Sequence, residues 1–206
     1  MISRRDLGLL TFGAAGLAAS RAIAEPSKKI IPEMGDDGLL IQPWFLNSFM
    51  VLEDDLNEAK GNGKRLAIFF EQKGCPYCKE THLVNLGDPE TNAYVRENFE
   101  VLQINLWGSR TVTDFDGQEM EERALARKWG VIFTPTIVFL GADMAEIKAN
   151  QGKSEVVRMP GYFKPFHFLH MFKFVKENSY KTVHFQKFLQ TQADELRAQG
   201  KEVKLW

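Results

Sequence analysis

The sequence predicts an α/β protein, a β-sheet flanked by helices, with a helical extension on the N-terminal side and an amphipathic helix at the C-terminus. Three observations lead there. Leu66 to Phe70, behind Arg65, is an unbroken apolar run of the kind a central strand buried on both faces requires, and it leads into Cys75-Pro76-Tyr77-Cys78 and a polar, helix-capable segment. Thr134-Pro135 stands at the head of a second apolar run, Thr136 to Leu140. Beyond Pro165, Phe168, Leu169, Phe172 and Val175 recur at helical spacing.

Length and composition set the scale. A chain of 206 residues, 44% hydrophobic and 12% aromatic, has material for one well-buried domain. Its 26 Lys and Arg against 27 Asp and Glu give a net charge of -1, which excludes the strongly basic balance of a nucleic-acid binder. Residues 1–24 read as an export signal: paired Arg4 and Arg5, an apolar run from Leu7 to Ala19, and Ala22-Ile23-Ala24 as the cleavage site. At about 1.5 Å per residue that run spans roughly 20 Å, short of the roughly 30 Å of a bilayer core, so a permanent anchor is not expected. Ser3-Arg4-Arg5-Asp6-Leu7 resembles the twin-arginine type of signal, with an ordinary secretory signal as the alternative. Cleavage after Ala24 and a periplasmic location are therefore expected.

The elements follow in order. Residues 25–43, polar and rich in Pro and Gly, read as an extended lead-in, and 45–60 as a helix stopped by Gly61-Asn62-Gly63. After the first strand and the cysteine helix, Phe99 to Leu106 reads as a second strand and Thr111 to Gly117 as a loop or small hairpin. Glu119 to Trp129 is expected to be helical, Thr136 to Leu140 the third strand and Glu155 to Met159 a weaker fourth. The last helix carries Phe185, Phe188, Leu189 and Leu196 on one side. The domain plan is thus 1–24 signal, 25–43 lead-in, 44–180 core domain and 181–206 C-terminal helix.

Cys75 and Cys78 are the chain's two cysteines. A disulfide between them closes a loop of only four residues, so its effect on chain entropy is small and a staple role is weak. Covalent haem attachment needs a histidine after the second cysteine, where Lys79 stands. Cys75, Cys78 and His82 could start a zinc site, but no second C-x-x-C exists, and His82 reads instead as a helix-face residue near the cysteines. No metal is assigned. Dithiol chemistry remains. Pro76 suits the first turn of a helix, which puts Cys75 at its N-terminus, where free N–H groups favour a thiolate. Cys75 is then the exposed nucleophile and Cys78, one turn on and facing inward, the resolving thiol.

A strand, a C-x-x-C and a helix, in that order, is the thioredoxin arrangement, and the sequence resembles that family. The fold implied is thioredoxin-like, with a central mixed β-sheet. The resemblance further implies that Thr134-Pro135 is a cis bond beside the cysteines, with an ordinary trans proline as the alternative, and that the Thr134 backbone pairs with an extended substrate segment. Substrate contact is expected from Thr134, Pro135, Pro76 and Tyr77. QPWFLNSF (42–49), FEQKGCPYC (70–78), NLWGSRTVTDFDG (105–117), ARKWGVIFTPT (126–136) and RMPGYFKPFHFLHMFKFV (158–175) are similar to the SoxW-type thioredoxins of bacterial sulfur oxidation. That likeness implies a monomeric periplasmic protein-disulfide reductase without a cofactor, fed by a membrane thiol transporter of the CcdA or SoxV kind. Its partners would be oxidised or thiol-modified cysteines of sulfur-oxidation carriers, or cytochrome c apoproteins.

Departures from common thioredoxins sharpen the expectations. Pro-Tyr replaces Gly-Pro between the cysteines, so the dipeptide does not give the redox direction. Phe69 occupies the place of the buried acid that many thioredoxins keep six residues before the first cysteine. Glu71 is the nearest candidate for that proton-relay role, with a plain surface carboxylate as the alternative. Extra residues around Gly108 to Gly117 leave Trp107 to Asp116 to frame a partner surface. A DsbA- or DsbC-like oxidase or isomerase, and a non-catalytic copper-binding module using the cysteines with Met159 or Met171, are the competing readings.

Overall fold

The computed structural model describes residues 28–149 and 154–203, so the expected export signal lies outside them. In chain order these residues form a hairpin of β1 (Glu33–Met34) and β2 (Leu40–Ile41), then α1 (Leu52–Gly61), β3 (Arg65–Glu71) and α2 (Pro76–Glu80). A π-helical turn (Thr81–Asn85) prolongs α2 and is followed by α3 (Pro89–Asn98), β4 (Phe99–Asn105), the hairpin β5 (Thr111–Thr113) and β6 (Glu119–Glu121), and α4 (Glu122–Lys128). The chain continues through β7 (Thr136–Leu140), α5 (Met144–Ala149), β8 (Glu155–Pro160), α6 (Pro165–Lys176), a 3₁₀ turn (Ser179–Lys181) and α7 (Phe185–Ala198).

Every residue of β3 is buried, as its continuous apolar run requires. The main sheet has the order β4-β3-β7-β8, with β3 parallel to β4 and antiparallel to β7, and β7 antiparallel to β8. This is the expected mixed sheet. Alternation along β3 sends Leu66, Ile68 and Phe70 into one core with Leu52, Leu56 and Leu125, and Ala67 and Phe69 into another with Phe99, Phe139, Phe168 and Phe172. Helices α1 and α4 therefore cover one face, and α3 and α6 the other. Phe172 meets the rings of both Phe99 and Phe139 edge-on at 4.9 Å, which accounts for the aromatic stripe of α6.

Several boundaries differ from those expected. The first helix begins at Leu52 rather than at residue 45, because the backbone before it is committed elsewhere. Leu46 N–H donates to Val101 O, Thr113 N–H donates to Met50 O, and Met50 sits at φ 64, outside helical space. Ser48 Oγ donates to Asp55 at 2.7 Å and accepts from Met50 N–H at 2.6 Å, latching this segment onto α1. The lead-in is not wholly extended, since its second half folds into the β1–β2 hairpin. Residues 119–121 pair with 111–113 instead of opening α4, so the extra segment is a formed hairpin. Helix α3 is an element beyond those expected, although Asp88 caps it through Thr91 N–H and Pro89 occupies its first turn. Among the described residues no helix is long and apolar enough to cross a membrane.

Candidate functional site

The cysteine pair sits where β3 leaves the sheet. Cys75 is the N-cap of α2 in extended backbone conformation, and Pro76 follows at the first helical position, where the missing N–H costs nothing. The two sulfurs are paired as a disulfide, with Cα atoms 5.3 Å apart, and Cys78 N–H points at Cys75 Sγ at 3.0 Å. The same N–H would stabilise a Cys75 thiolate on reduction. Cys75 is only 8% exposed, less open than expected for the nucleophile, because Sγ turns back over the first turn of α2. Cys78 faces inward and is buried.

Register brings the second landmark to the same end of the sheet. Phe70 pairs with Thr136, so Pro135, one residue before Thr136, lies at the end of β3 from which the chain runs to Cys75. The Thr134-Pro135 bond is cis, and Pro135 O accepts from Gly161 N–H at 2.8 Å. Ahead of it Ile132, 81% exposed, and Phe133 stand out from the surface. Tyr77 is 60% exposed and stacks on Tyr162, ring centroids 6.0 Å apart. On the other side Trp107, 68% exposed, donates from Nε1 to Gln72 Oε1 at 2.8 Å. Exposed aromatic and aliphatic side chains are thus contributed from several segments of this end of the fold.

The loop that carries Trp107 is gathered on a buried carboxylate. The Glu122 carboxylate accepts from Asn105 N–H at 2.9 Å and from Arg110 Nη2 at 2.6 Å, drawing both ends of the 105–110 loop together. Gly108 packs so closely against Glu122 that a Cβ there would overlap the carboxylate.

Beside the cysteines opens a cavity of about 410 Å³, lined by Met34, Leu39 and Leu40 of the hairpin region and by Glu71, Cys75 and Cys78. Glu71 is buried, which removes the surface-carboxylate alternative. Its Oε2 accepts from His82 Nε2 at 2.9 Å and from Gln103 Nε2 at 2.5 Å, while its Oε1 is buried without a hydrogen-bond partner. Gln103 also donates to Leu40 O at 2.7 Å, tying the hairpin to this cluster. His82 stands on the expected helix face near the cysteines, and that face is turned inward: His82 is 0% exposed, buried with Cys78, Thr81 and Asn85 by α2 and its π-helical turn. The spacing Cys78-His82 did signal a shared helix face, but the partner across that face lies on β3. Among the described residues no cluster of three or more His, Cys, Asp or Glu is placed to hold a metal ion. Met159 and Met171 pack into the aromatic core.

A strand leading to a dithiol at a helix start, with a cis X-Pro bond at the same end of a mixed sheet, defines a thioredoxin-like fold. The chain belongs to the thioredoxin-like domain family, whose sequence profile matches residues 52–176. Among solved structures it is similar to a thioredoxin-fold protein from Helicobacter pylori, at 24% identity over 65% of this chain and 82% of that one, with a TM-score of 0.46. A thioredoxin from Thermus thermophilus matches at 26% identity over 59% of this chain and 81% of the other, TM-score 0.43. A disulphide isomerase from Xylella fastidiosa matches at 14% identity over 69% and 86%, TM-score 0.36. No curated protein matches the chain.

Proposed function

We propose that the protein is a periplasmic thiol–disulfide oxidoreductase that reduces protein disulfides or thiol-modified cysteines in sulfur oxidation or cytochrome c maturation. Cys75 and Cys78, paired at the start of α2, carry this reading. In the reducing direction the Cys75 thiolate attacks a partner disulfide, a mixed disulfide forms, and Cys78 attacks Cys75 Sγ to release the reduced partner. Glu71, lining the same cavity as Cys78, is the base that takes the Cys78 proton. Thr134, Pro135, Pro76 and Tyr77 form the contact edge, on which an extended partner segment pairs with the Thr134 backbone. The dithiol is regenerated by a membrane thiol transporter of the CcdA or SoxV kind. The leader motif and the SoxW-like sequence blocks support the periplasmic setting.

Trapping tests the roles of the cysteines. Cys78→Ser should accumulate a mixed disulfide with its partner in the periplasm and Cys75→Ser should not; equal trapping by both overturns the assignment. Reduction potential tests direction. A value near about -270 mV supports a reductant, whereas one near about -120 mV supports a disulfide donor and sinks the reductase reading.

A further inference from the structure

His82 has no part in thiol exchange as described, yet it is the fully buried partner of the one carboxylate that shares a cavity with Cys78. Burying a carboxylate is costly unless donors hold it, and here two donors, His82 Nε2 and Gln103 Nε2, converge on the same oxygen, Oε2. That leaves Oε1 buried and unbonded. Fixing one oxygen of a planar carboxylate with two hydrogen bonds fixes the other.

We propose that His82 is the positioning residue of the resolving step, holding Glu71 by Oε2 so that Oε1 is presented as the proton acceptor for Cys78. The inference rests on the oxidoreductase reading above. The step balances as follows. The Cys78 Sγ proton passes to Glu71 Oε1, the Cys78 Sγ–Cys75 Sγ bond forms, and the bond from Cys75 Sγ to the partner sulfur breaks. The bonding pair leaves on the partner sulfur, which takes a proton from solvent; Cys75 and Cys78 are oxidised and the partner is reduced. Glu71 then returns its proton to solvent through the cavity.

The size of the effect follows from ionisation. A thiol with an ordinary pKa of about 8.5 is about 3% ionised at pH 7, so a base acting on Cys78 can supply about 30-fold in rate, and the benefit vanishes once the thiol ionises unaided. The charged groups lining the cavity are Glu71 and Lys79, with Lys73 packed over Gly38 on the hairpin side. Phe45, whose ring lies 5.7 Å from that of His82, and Gln103 do not titrate; α6, packed against the π-helical turn, carries the titratable His167, His170 and Lys173.

The test uses the reduced full chain and an aryl disulfide probe, which releases one coloured thiolate when Cys75 attacks and a second when Cys78 resolves. In His82→Leu the second phase is expected to slow by about tenfold at pH 7 and to rejoin the wild-type rate above about pH 9, the first phase being unchanged. His82→Gln keeps an N–H for Glu71 and should restore the second phase. A second phase in His82→Leu that matches wild type at every pH overturns the inference, as does one slowed equally at every pH, the signature of a structural role. Should the leucine variant not fold, His82→Gln against Glu71→Gln decides: near-wild-type resolution in the first with pH-dependent slowing in the second supports the inference, and equal slowing at all pH overturns it. None of these outcomes depends on reduction of a protein disulfide, so failure of the functional reading is seen separately.

Discussion

The two ends of β3 each bury a charged residue, and the contrast between them sets a structural lock against the proposed chemical site. At the start of the strand, Arg65 donates to Leu140 O at 2.6 Å, Asn178 Oδ1 at 2.7 Å and Tyr180 Oη at 3.3 Å, with the Glu146 carboxylate 4.0 Å away. These bonds tie β7, α5 and the 3₁₀ turn to the sheet. At the far end Glu71 bonds His82 and Gln103 beside a cavity that also holds the dithiol. Both ends leave buried polar atoms unpartnered, Arg65 Nε at one and Glu71 Oε1 and His82 Nδ1 at the other, so an orphan atom alone does not mark function. What differs is the chemistry of the orphan. A guanidinium exchanges no proton in ordinary conditions, whereas a carboxylate bonded to an imidazole and lining a cavity with two cysteines can accept one in the proposed step.

Exchanging the two ends' residues gives the largest expected effects and would break the comparison most directly. Arg65→Met should cost about 3 kcal/mol in urea unfolding, because Leu140 O and the Asn178 turn lose their shared donor, while activity per folded molecule is unchanged. Glu71→Gln should do the opposite, slowing resolution at pH 7 by about 30-fold with a stability change within about 1 kcal/mol. If both variants lost stability alike and kept their rates, the distinction between lock and site would collapse.

Gly108→Ala should follow in size, at about 2 kcal/mol, since the new Cβ must displace the Glu122 carboxylate that gathers the 105–110 loop. Loss of the Trp107 Nε1 bond, read from indole fluorescence, would accompany it. Asp55 gives a pH-dependent test at a third buried acid. Burial pushes its carboxyl up to about 6, against the hydrogen bond from Ser48, which lowers it, and with Glu58 and Asp54 adding to the rise. The folded state then binds the proton more tightly than the unfolded chain between about pH 4 and 6, so this group's contribution is fully present at the acid side and is lost as pH rises through about 6. Unfolding of wild type and Asp55→Asn at pH 4.5 and 7.5 should show the wild type gaining on the variant toward acid pH by on the order of 2 kcal/mol. A constant difference would contradict the assignment. Trp107→Ala is the smallest change: stability within about 0.5 kcal/mol, but kcat/KM for a protein disulfide down about tenfold with a small disulfide unaffected. Equal loss on both substrates would remove the loop from the partner surface.

Local signals in the sequence carried much of this fold. The apolar run of β3, the Cys75-Pro76 helix start, the proline heading β7 and the Phe stripe of α6 are each written in a few adjacent residues, and each stands where the sequence places it. The start of α1 was not legible, because residues 45–51 spend their hydrogen bonds on Val101 and Thr113, far away in the chain. Helix α3 is signalled locally by Asp88-Pro89, a cap residue followed by a proline at the first helical position.

The dithiol, its position at a helix start and the class of chemistry it can perform were determined by the sequence alone, since C-x-x-C geometry is set within one turn of chain. Only the tertiary structure decided what Glu71 and His82 are. They lie 11 residues apart, and Gln103 lies 32 residues from Glu71 on the neighbouring strand, so their convergence depends on the register of β3 with β4 and on the inward face of the α2 turn. Burial is a property of what packs around a residue, and no local pattern distinguishes a glutamate at a strand end that faces water from one that faces a histidine.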